Sequence, residues 1–181
     1  MSQKKILGLS GSLRNGAFTT TLLDHLAQHM PAHAQMHIHP LGDVPLYNQD
    51  LDTDTPPPAV AALREAIGAA DGLVIISPEY NYGMSGVLKN ALDWASRPYG
   101  KSVLIGKPVI TMSASPAFTG GVRAQAQLHE TLLAIPMQII ARPQTVVGEV
   151  HKKIVDGKLI DGNTASFIET ALADLLAALG N

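Results

Sequence analysis

The chain of 181 residues contains no cysteine. This absence excludes disulfide bridges, iron–sulfur clusters held by cysteine thiolates and a thiol nucleophile. Aromatic residues are scarce as well, at 4%, so the core must consist mainly of Ala, Leu, Ile and Val. The clustering of Tyr80, Tyr82 and Trp94 within fifteen positions is therefore a conspicuous local exception.

Positive charge is also limited, because the formal net charge is -2 and no run of Lys or Arg occurs. A protein that binds nucleic acid through its phosphates needs a cationic surface, so we expect no nucleic-acid partner. No apolar run approaches the roughly 20 residues that cross a bilayer, and the N-terminus shows no signal peptide. We therefore expect a soluble, cytoplasmic protein that does not enter a membrane.

The length favours a single domain over residues 1–181, and 46% apolar residues suffice for a full core. Apolar runs typical of buried strands alternate with stretches of helical periodicity. The predicted strands are 5–10, 35–39, 72–77, 108–114 and 137–141. The predicted helices are 19–30, 58–70, 87–95, 121–133 and 163–179, the last capped by Asn163 or Thr164. This alternation indicates an α/β fold with a parallel sheet covered on both faces.

The loop after the first predicted strand, residues 10–20, is rich in hydroxyl groups and small residues. Small residues let the backbone curl around an anion, and the following helix start offers unpaired N–H groups. The loop lacks the Gly-Lys-Ser/Thr of a Walker A motif and the three spaced glycines of a dinucleotide fingerprint. A hydroxyl-rich loop without lysine suits a terminal monophosphate, and so FMN better than FAD; an ordinary Gly/Ser turn is an equally good interpretation.

The loop after the third predicted strand contains Pro78, Glu79, Tyr80, Asn81 and Tyr82. Two aromatic rings beside an amide and a carboxylate suit a planar, hydrogen-bonding ligand such as a flavin. Backbone N–H groups of this loop would then border the flavin ring and stabilise its reduced form. The alternative is that both tyrosines are half-buried loop residues, and composition alone favours it.

A third loop, residues 113–121, follows the fourth predicted strand and has paired glycines before a helix, which permit close approach of a ligand. A flexible turn is the alternative. In a parallel sheet all three loops follow the carboxyl ends of strands, so they converge at the edge where open α/β sheets bind ligands.

Two other patterns are candidate sites of a different kind. His25 and His29 lie four apart on a predicted helix, a spacing that suits a metal ion, and His37 and His39 share one face of a predicted strand. No third ligand is evident for either pair, so we expect no metal site. The serine-hydrolase pattern Gly-x-Ser-x-Gly fails at its last position around Ser10.

Two motifs together resemble the NADPH-dependent FMN reductase family, which includes flavin, quinone, azo-dye and chromate reductases. They are Gly-Ser-Leu-Arg at 11–14, and Pro-Glu-Tyr-Asn-Tyr-Gly followed by Val-Leu-Lys-Asn-Ala-Leu-Asp-Trp within 78–94. The resemblance spans residues 5–145. It implies a flavodoxin-like three-layer sandwich with a five-stranded parallel sheet of order 2-1-3-4-5, and a homodimer or homotetramer with the flavin near a subunit interface.

The resemblance also implies the site residues. The FMN phosphate would contact Ser10, Ser12 and Arg14, and Thr19 stands where the family often has Asn. The flavin ring would be lined by Pro78, Glu79, Tyr80, Asn81 and Tyr82, with Ser113 near its other side. Hydride transfer would take place at flavin N5, without a catalytic side chain.

The function that follows is transfer of hydride from NADPH or NADH through FMN to a quinone, flavin, azo compound or chromate-like acceptor. An FMN-binding electron carrier like a flavodoxin is the alternative, although such carriers are strongly acidic and this chain is nearly neutral. The acceptor, the nucleotide preference and the choice between dimer and tetramer stay open. Residues 146–162 form either a connecting hairpin or a subunit contact.

Overall fold

The computed structural model describes residues 3–180 and contains nine strands and five α-helices in that range. The strands are β1 (Lys4–Ser10), β2 (Ala34–His39), β3 (Gly72–Tyr80), β4 (Gly83–Met84), β5 (Pro108–Ala114), β6 (Gln138–Ile139), β7 (Thr145–Val147), β8 (Ile154–Val155) and β9 (Lys158–Leu159). The helices are α1 (Phe18–Gln28), α2 (Pro58–Ala69), α3 (Gly86–Ala95), α4 (Val122–Ala134) and α5 (Gly162–Ala178).

The central sheet has the order β2-β1-β3-β5-β6, and neighbouring strands along this path are parallel. Short β4 lies outside the path because it folds back antiparallel to the end of β3. With β4 set aside, the observed order is the predicted 2-1-3-4-5. The flavodoxin-like fold is therefore confirmed.

Apolar residues of the strands alternate between two buried faces, which is why the sheet carries helices on both sides. Leu73 and Ile75 of β3 pack with leucines of α2, α3 and α4. Val74 and Ile76 of the same strand pack with leucines of α1 and α5. The three predicted layers follow from this alternation.

The last strand of the sheet differs from the prediction in extent. The sequence predicts one strand over residues 137–141, but β6 is limited to Gln138–Ile139 and pairs with the start of β5. After an interruption, β7 pairs with Met112, Ser113 and Ala114 at the end of β5. Pro143 lies in the interruption, and a proline cannot donate a backbone hydrogen bond to a neighbouring strand.

The C-terminal part corrects the predicted cap of α5 and contains the hairpin that is one alternative for residues 146–162. Asp161, rather than Asn163 or Thr164, caps α5, and its side chain accepts a hydrogen bond from the Thr164 N–H at 2.8 Å. Between β7 and α5, strands β8 and β9 form an antiparallel hairpin. The hairpin turns at Asp156 and Gly157, both with positive φ, as a tight two-residue turn requires. Within residues 3–180, no helix is both long and apolar enough to cross a membrane.

Candidate functional site

Three strand-to-helix loops meet at one edge of the sheet and enclose a cleft of about 300 Å³, here called the loop cleft. It is lined by Ser12, Arg14, Phe18, Thr19, Pro78, Glu79, Tyr80, Ala114, Ser115 and Pro116. All three loops contribute, which confirms their predicted convergence. A cavity of about 360 Å³ elsewhere lies beside the amino-terminal halves of β1 and β2, away from the carboxyl ends of strands where such sheets bind ligands.

Hydroxyl groups join the first loop to the start of α1. The Oγ of Ser10 lies 2.8 Å from Oγ1 of buried Thr19 and accepts a hydrogen bond from Oγ1 of Thr20 at 2.9 Å. Ser10 is itself 8% exposed, so its hydroxyl mainly fixes the loop from behind. Ser12 and Arg14, which follow it, are more exposed and line the loop cleft.

The start of α1 lacks a capping side chain. Its N-cap residue is Ala17, which has no oxygen to accept a hydrogen bond from the first turn. The N–H groups of that turn therefore keep their partial positive charge, and they begin at Phe18, which lines the loop cleft. The guanidinium of Arg14 lies 4.9 Å from the centre of the Phe18 ring. Uncapped N–H groups beside a cation are a donor set suited to a phosphate.

Gly11 packs the first loop directly against the second. Its N–H donates to the Ile76 carbonyl at 2.9 Å. A Cβ at this position would lie 2.8 Å from Cδ of Pro78 and 2.9 Å from Oγ of Ser85. No side chain larger than hydrogen fits without displacing one loop, so this glycine sets the spacing of two walls of the loop cleft.

The second loop is a β-hairpin, a feature that the sequence interpretation missed. Strand β3 continues beyond the predicted end at residue 77 to Tyr80, and β4 pairs with it in the register Tyr80–Gly83. The two turn residues, Asn81 and Tyr82, have φ of 50° and 67°. Positive φ at both positions is the requirement of a type I′ turn. We call β3, this turn and β4 the Tyr-Asn-Tyr hairpin.

Tyr82 holds an unusual position in this hairpin. Asn tolerates positive φ, whereas a tyrosine there is strained, and glycine would be the favoured residue. Its side chain is 73% exposed, and the Arg123 guanidinium lies 4.1 Å from its ring centre. Tyr82 therefore lies exposed at the tip of the hairpin and is stacked by a residue of α4.

Glu79 connects the hairpin to α4. Its Oε2 accepts hydrogen bonds from the backbone N–H groups of Arg123, at 3.0 Å, and Ala124, at 3.3 Å. The N-cap residue of α4 is Gly121, which has no side chain, so the carboxylate of Glu79 caps this helix. The carboxylate of Glu79 is thus hydrogen-bonded within the protein, although the residue lines the loop cleft.

Gln127 provides a second attachment of the hairpin to α4. Its Oε1 accepts a hydrogen bond from the Met84 N–H at 2.8 Å. A Cβ on Gly83 would approach the same oxygen to 2.7 Å. The hairpin therefore depends on α4 at both of its strands.

The third loop contributes small residues to the cleft and a tight turn behind it. Ala114, Ser115 and Pro116 form this wall. Gly120 and Gly121 follow with φ of 66° and 87°, values that glycine adopts without strain. The paired glycines noted in the sequence therefore shape the turn into α4.

Ser113 is fully buried and lies outside the lining of the loop cleft. Its neighbour Gly121 is so close that a Cβ there would approach the Ser113 Cβ to 3.1 Å. Within residues 3–180 its Oγ has no hydrogen-bond partner. The residues of the third loop that line the cleft begin one position later, at Ala114.

Six of the ten predicted site residues come together in the loop cleft: Ser12, Arg14, Thr19, Pro78, Glu79 and Tyr80. Ser10 lies behind it, Asn81 and Tyr82 form the hairpin tip, and Ser113 lies beneath the third loop. Sequence reasoning did not single out Phe18, Ala114, Ser115 or Pro116. Only their position in the sequence could have identified them, because each lies at a strand end or helix start next to one of the three predicted loops.

The chain is similar in sequence to known flavin-dependent and quinone reductases. The sequence profile of the NADPH-dependent FMN reductases matches residues 4–152. The chain is 37% identical over 172 residues to an NAD(P)H-dependent FMN reductase of Pseudomonas aeruginosa, covering 94% of this chain and 92% of that protein. It is 38% identical over 169 residues to a quinone reductase of Escherichia coli K12, covering 91% and 89%.

A solved structure is similar along its whole length. FerB, a flavoenzyme NAD(P)H:(acceptor) oxidoreductase from Paracoccus denitrificans, superposes with a TM-score of 0.86 and is 32% identical. The match covers 97% of both chains.

Proposed function

The chain belongs to the NADPH-dependent FMN reductase family, and from this membership we propose that it is an oxidoreductase that uses NADPH or NADH, with FMN held in the loop cleft, to reduce a small quinone. The observation that carries the proposal is the loop cleft itself, where an uncapped helix start with Arg14 adjoins a wall formed by the Tyr-Asn-Tyr hairpin.

The donor set of the loop cleft fits a phosphomonoester attached to a planar ring. Ser12, Thr19 and Arg14, with the N–H groups at the start of α1, would hold the phosphate. Pro78 and Tyr80 would line one side of the ring, and the wall at Ala114–Pro116 the other. The low polarity of these walls suits an aromatic ring system.

FMN, when bound, supplies the redox chemistry, because its ring accepts a hydride from a nicotinamide and returns electrons to an acceptor. The contribution of this chain is binding, orientation and charge. Arg14 and the positive end of α1 favour an anionic ligand at one end of the cleft. Glu79 and Gln127 hold the hairpin against α4 and so fix the other end.

No side chain of this chain is assigned as a general acid or base in the proposal. Glu79 is the carboxylate among the cleft residues, and both of its oxygens are engaged by Arg123. The exposure of Tyr80, at 54%, leaves the cleft open to solvent on the hairpin side. One open cleft that receives the nucleotide and then the acceptor predicts ping-pong kinetics.

A quinone is the acceptor we propose, because the relatives include proteins named quinone reductase and 2-hydroxy-1,4-benzoquinone reductase. With FMN in the cleft, the quinone would approach the flavin ring from the hairpin side, which the exposed Tyr80 leaves open to solvent. Free flavin, azo compounds and chromate are the competing acceptors for a panel assay. If the enzyme reduced a quinone no faster than these three acceptors, the proposal that a quinone is the preferred acceptor would be wrong.

The central experiment measures flavin binding and then each half-reaction separately. Purified protein is titrated with FMN and its visible spectrum recorded, and the loaded protein is mixed with NADPH or NADH in a stopped-flow instrument. We expect rapid bleaching of the flavin absorbance, followed by its return on addition of a quinone. An electron carrier without turnover would bind FMN but would not be bleached rapidly by either nucleotide.

We further propose that the protein forms a homodimer or homotetramer in the cytoplasm, where NADPH and NADH are kept. Exposed aromatic side chains on the second and third loops support association: Tyr80, Tyr82 and Phe118 are 54%, 73% and 85% exposed. Light scattering at micromolar concentration should give the mass of two or four chains. A monomer mass would count against the proposal, and cell fractionation tests the location.

A further inference from the structure

Helices α1 and α5 lie side by side on one face of the sheet and bring two imidazoles and a carboxylate together. His25 and His29 belong to the C-terminal end of α1, and Glu169 lies on α5. One ligand atom from each of the three lies within 4.8 Å of the other two. The third ligand that the sequence did not reveal is thus supplied by a residue 140 positions further along the chain from His29.

The hydrogen bonds of the cluster leave one imidazole lone pair, on His29, open to a metal. Nδ1 of His29 lies 2.8 Å from the backbone carbonyl of His25. A carbonyl oxygen can only accept, so Nδ1 carries the proton and Nε2 of His29 keeps its lone pair. Orientation of a ligating imidazole through its other nitrogen is the arrangement that metal sites use.

The two imidazole rings are already arranged as neighbours. Their centroids are 4.1 Å apart with an interplanar angle of 23°. Nε2 of His25 lies 2.7 Å from Oε1 of Glu169, a hydrogen bond that a metal ion would replace by displacing the shared proton. His25 is largely buried, whereas His29 is exposed and Glu169 is partly exposed.

We propose that His25, His29 and Glu169 bind a divalent transition metal ion that links α1 to α5. Bonds of about 2.0–2.1 Å in a tetrahedral site place ligand atoms about 3.3 Å apart. The three ligand atoms, which lie within 4.8 Å of one another, would have to adjust to this spacing. Two imidazoles with one carboxylate suit Zn²⁺, Ni²⁺, Co²⁺ or Cu²⁺, and do not suit Ca²⁺ or Mg²⁺, which prefer oxygen.

The site would stabilise the fold rather than take part in the redox reaction. Helix α1 begins at Phe18 in the loop cleft and carries the cluster at its opposite end. A metal joining its last turn to α5 would therefore oppose separation of the C-terminal helix from the sheet. The inference does not depend on flavin binding.

The chain contains a matched comparison pair. His37 and His39 on β2 are also close, with ring centroids 6.4 Å apart, but they are not part of the three-ligand cluster found in residues 3–180. Replacing them removes two imidazoles without touching the proposed site.

The experiment uses full-length protein without a histidine tag, in the flavin-free and flavin-loaded forms, after treatment with a chelator and its removal. Equilibrium dialysis against Zn²⁺ or Ni²⁺, with metal content measured by mass spectrometry, should give one ion per chain for the wild type. His29→Gln and Glu169→Gln should each weaken binding by on the order of tenfold or more. The double variant His37→Gln, His39→Gln should bind as the wild type does.

Thermal unfolding gives a second measurement, since an ion bound only by the folded chain raises Tm. Added Zn²⁺ should raise the Tm of the wild type and of the β2 double variant, and should have less effect on Glu169→Gln. The proposal is overturned if the wild type binds no ion saturably. It is also overturned if Glu169→Gln and His29→Gln bind as the wild type does, since the cluster would then be a hydrogen-bonded group only.

Discussion

Glu79 accepts hydrogen bonds from the backbone N–H of Arg123 at 3.0 Å and from the guanidinium of the same residue at 3.2 Å. A residue at the end of β3 thus caps a helix that begins more than forty positions later. This contact holds the second and third loops of the cleft together. The Glu79 carboxylate therefore stabilises the conformation of the site.

Removing the Glu79 carboxylate should loosen α4 and the hairpin together. We expect Glu79→Ala to lower the free energy of unfolding by about 1–2 kcal/mol, the usual cost of losing a helix cap, and to weaken FMN binding. Urea unfolding and a flavin titration measure the two effects. Glu130→Ala, an exposed glutamate on the same helix, is the control, and an equal loss there would contradict the capping role.

A methyl group at position 11 should separate the first two loops. The Cβ of Gly11→Ala would lie 2.8 Å from the ring of Pro78, an overlap expected to cost about 1–3 kcal/mol of stability. FMN affinity should fall as well, because the two loops hold opposite ends of the ligand. Gly86→Ala is the matched control, since a Cβ at that position would have nothing within 4 Å of it.

Urea unfolding and FMN titration of Gly11→Ala and Gly86→Ala test this prediction. Gly86→Ala should change the unfolding free energy by less than about 1 kcal/mol, in the stabilising direction, because it only restricts the unfolded chain. If Gly11→Ala behaved in the same way, the close approach of the two loops would not be what holds the cleft.

Most of the fold could be predicted from the sequence because its signals are local. The continuous apolar run of β3 and the helical periodicity around Leu88 and Leu92 specify their elements directly. The break between β6 and β7 was missed, since the apolar run continues to Ala141 and only Pro143 marks its end. The predicted caps, Asn163 or Thr164, lie two and three positions after the observed cap Asp161, because Asp, Asn and Thr are all favourable cap residues.

The site was less predictable because its key contacts join distant residues. The hairpin depends on Asn81 and Tyr82 adopting positive φ, and a tyrosine gives no local signal for that conformation. The cap on α4 and the metal ligand Glu169 proposed for α1 come from other elements. Such contacts depend on how the helices pack on the whole sheet. The pattern of residue types along one segment carries no information about that packing.

Strain at Tyr82 predicts a difference between two substitutions that both remove the ring. With φ of 67°, alanine keeps a Cβ in the left-handed region, whereas glycine does not. Tyr82→Gly should therefore be more stable than Tyr82→Ala by about 1 kcal/mol in urea unfolding. Equal stabilities would mean that the turn rearranges when the ring is lost. If the ring contacts FMN, both variants should lose affinity for it to the same extent.

Arg14 should distinguish FMN from riboflavin, which lacks the phosphate. A hydrogen bond from a charged donor contributes about 1.5–3 kcal/mol, so Arg14→Ala should weaken FMN binding by about tenfold to a hundredfold. Riboflavin binding should change little, because the guanidinium beside Phe18 would have no phosphate to contact. Equal losses for the two ligands, measured by fluorescence titration, would remove Arg14 from the phosphate site.

Burial of His129 predicts a specific dependence of stability on pH. Its Nε2 lies 2.5 Å from Oγ1 of Thr111, and burial lowers the pKa of His129 below its ordinary value of 6.5. The folded protein therefore takes up this proton less readily than the unfolded chain. As far as His129 is concerned, the free energy of unfolding is highest above pH 6.5. It decreases as the pH falls through that value toward the lower pKa of His129 in the folded state.

Replacing the imidazole should remove this part of the pH dependence. In His129→Gln, whose amide can still meet the Thr111 hydroxyl, the free energy of unfolding should fall less steeply between about pH 7.5 and about pH 5 than in the wild type. His33→Gln, which replaces an exposed histidine, is the control for loss of an imidazole. Burial also lowers the pKa of His39, so some pH dependence should remain in His129→Gln and diminish further when His39→Gln is added. A His129→Gln slope indistinguishable from that of the wild type would show that protonation of this imidazole is not resisted by the fold.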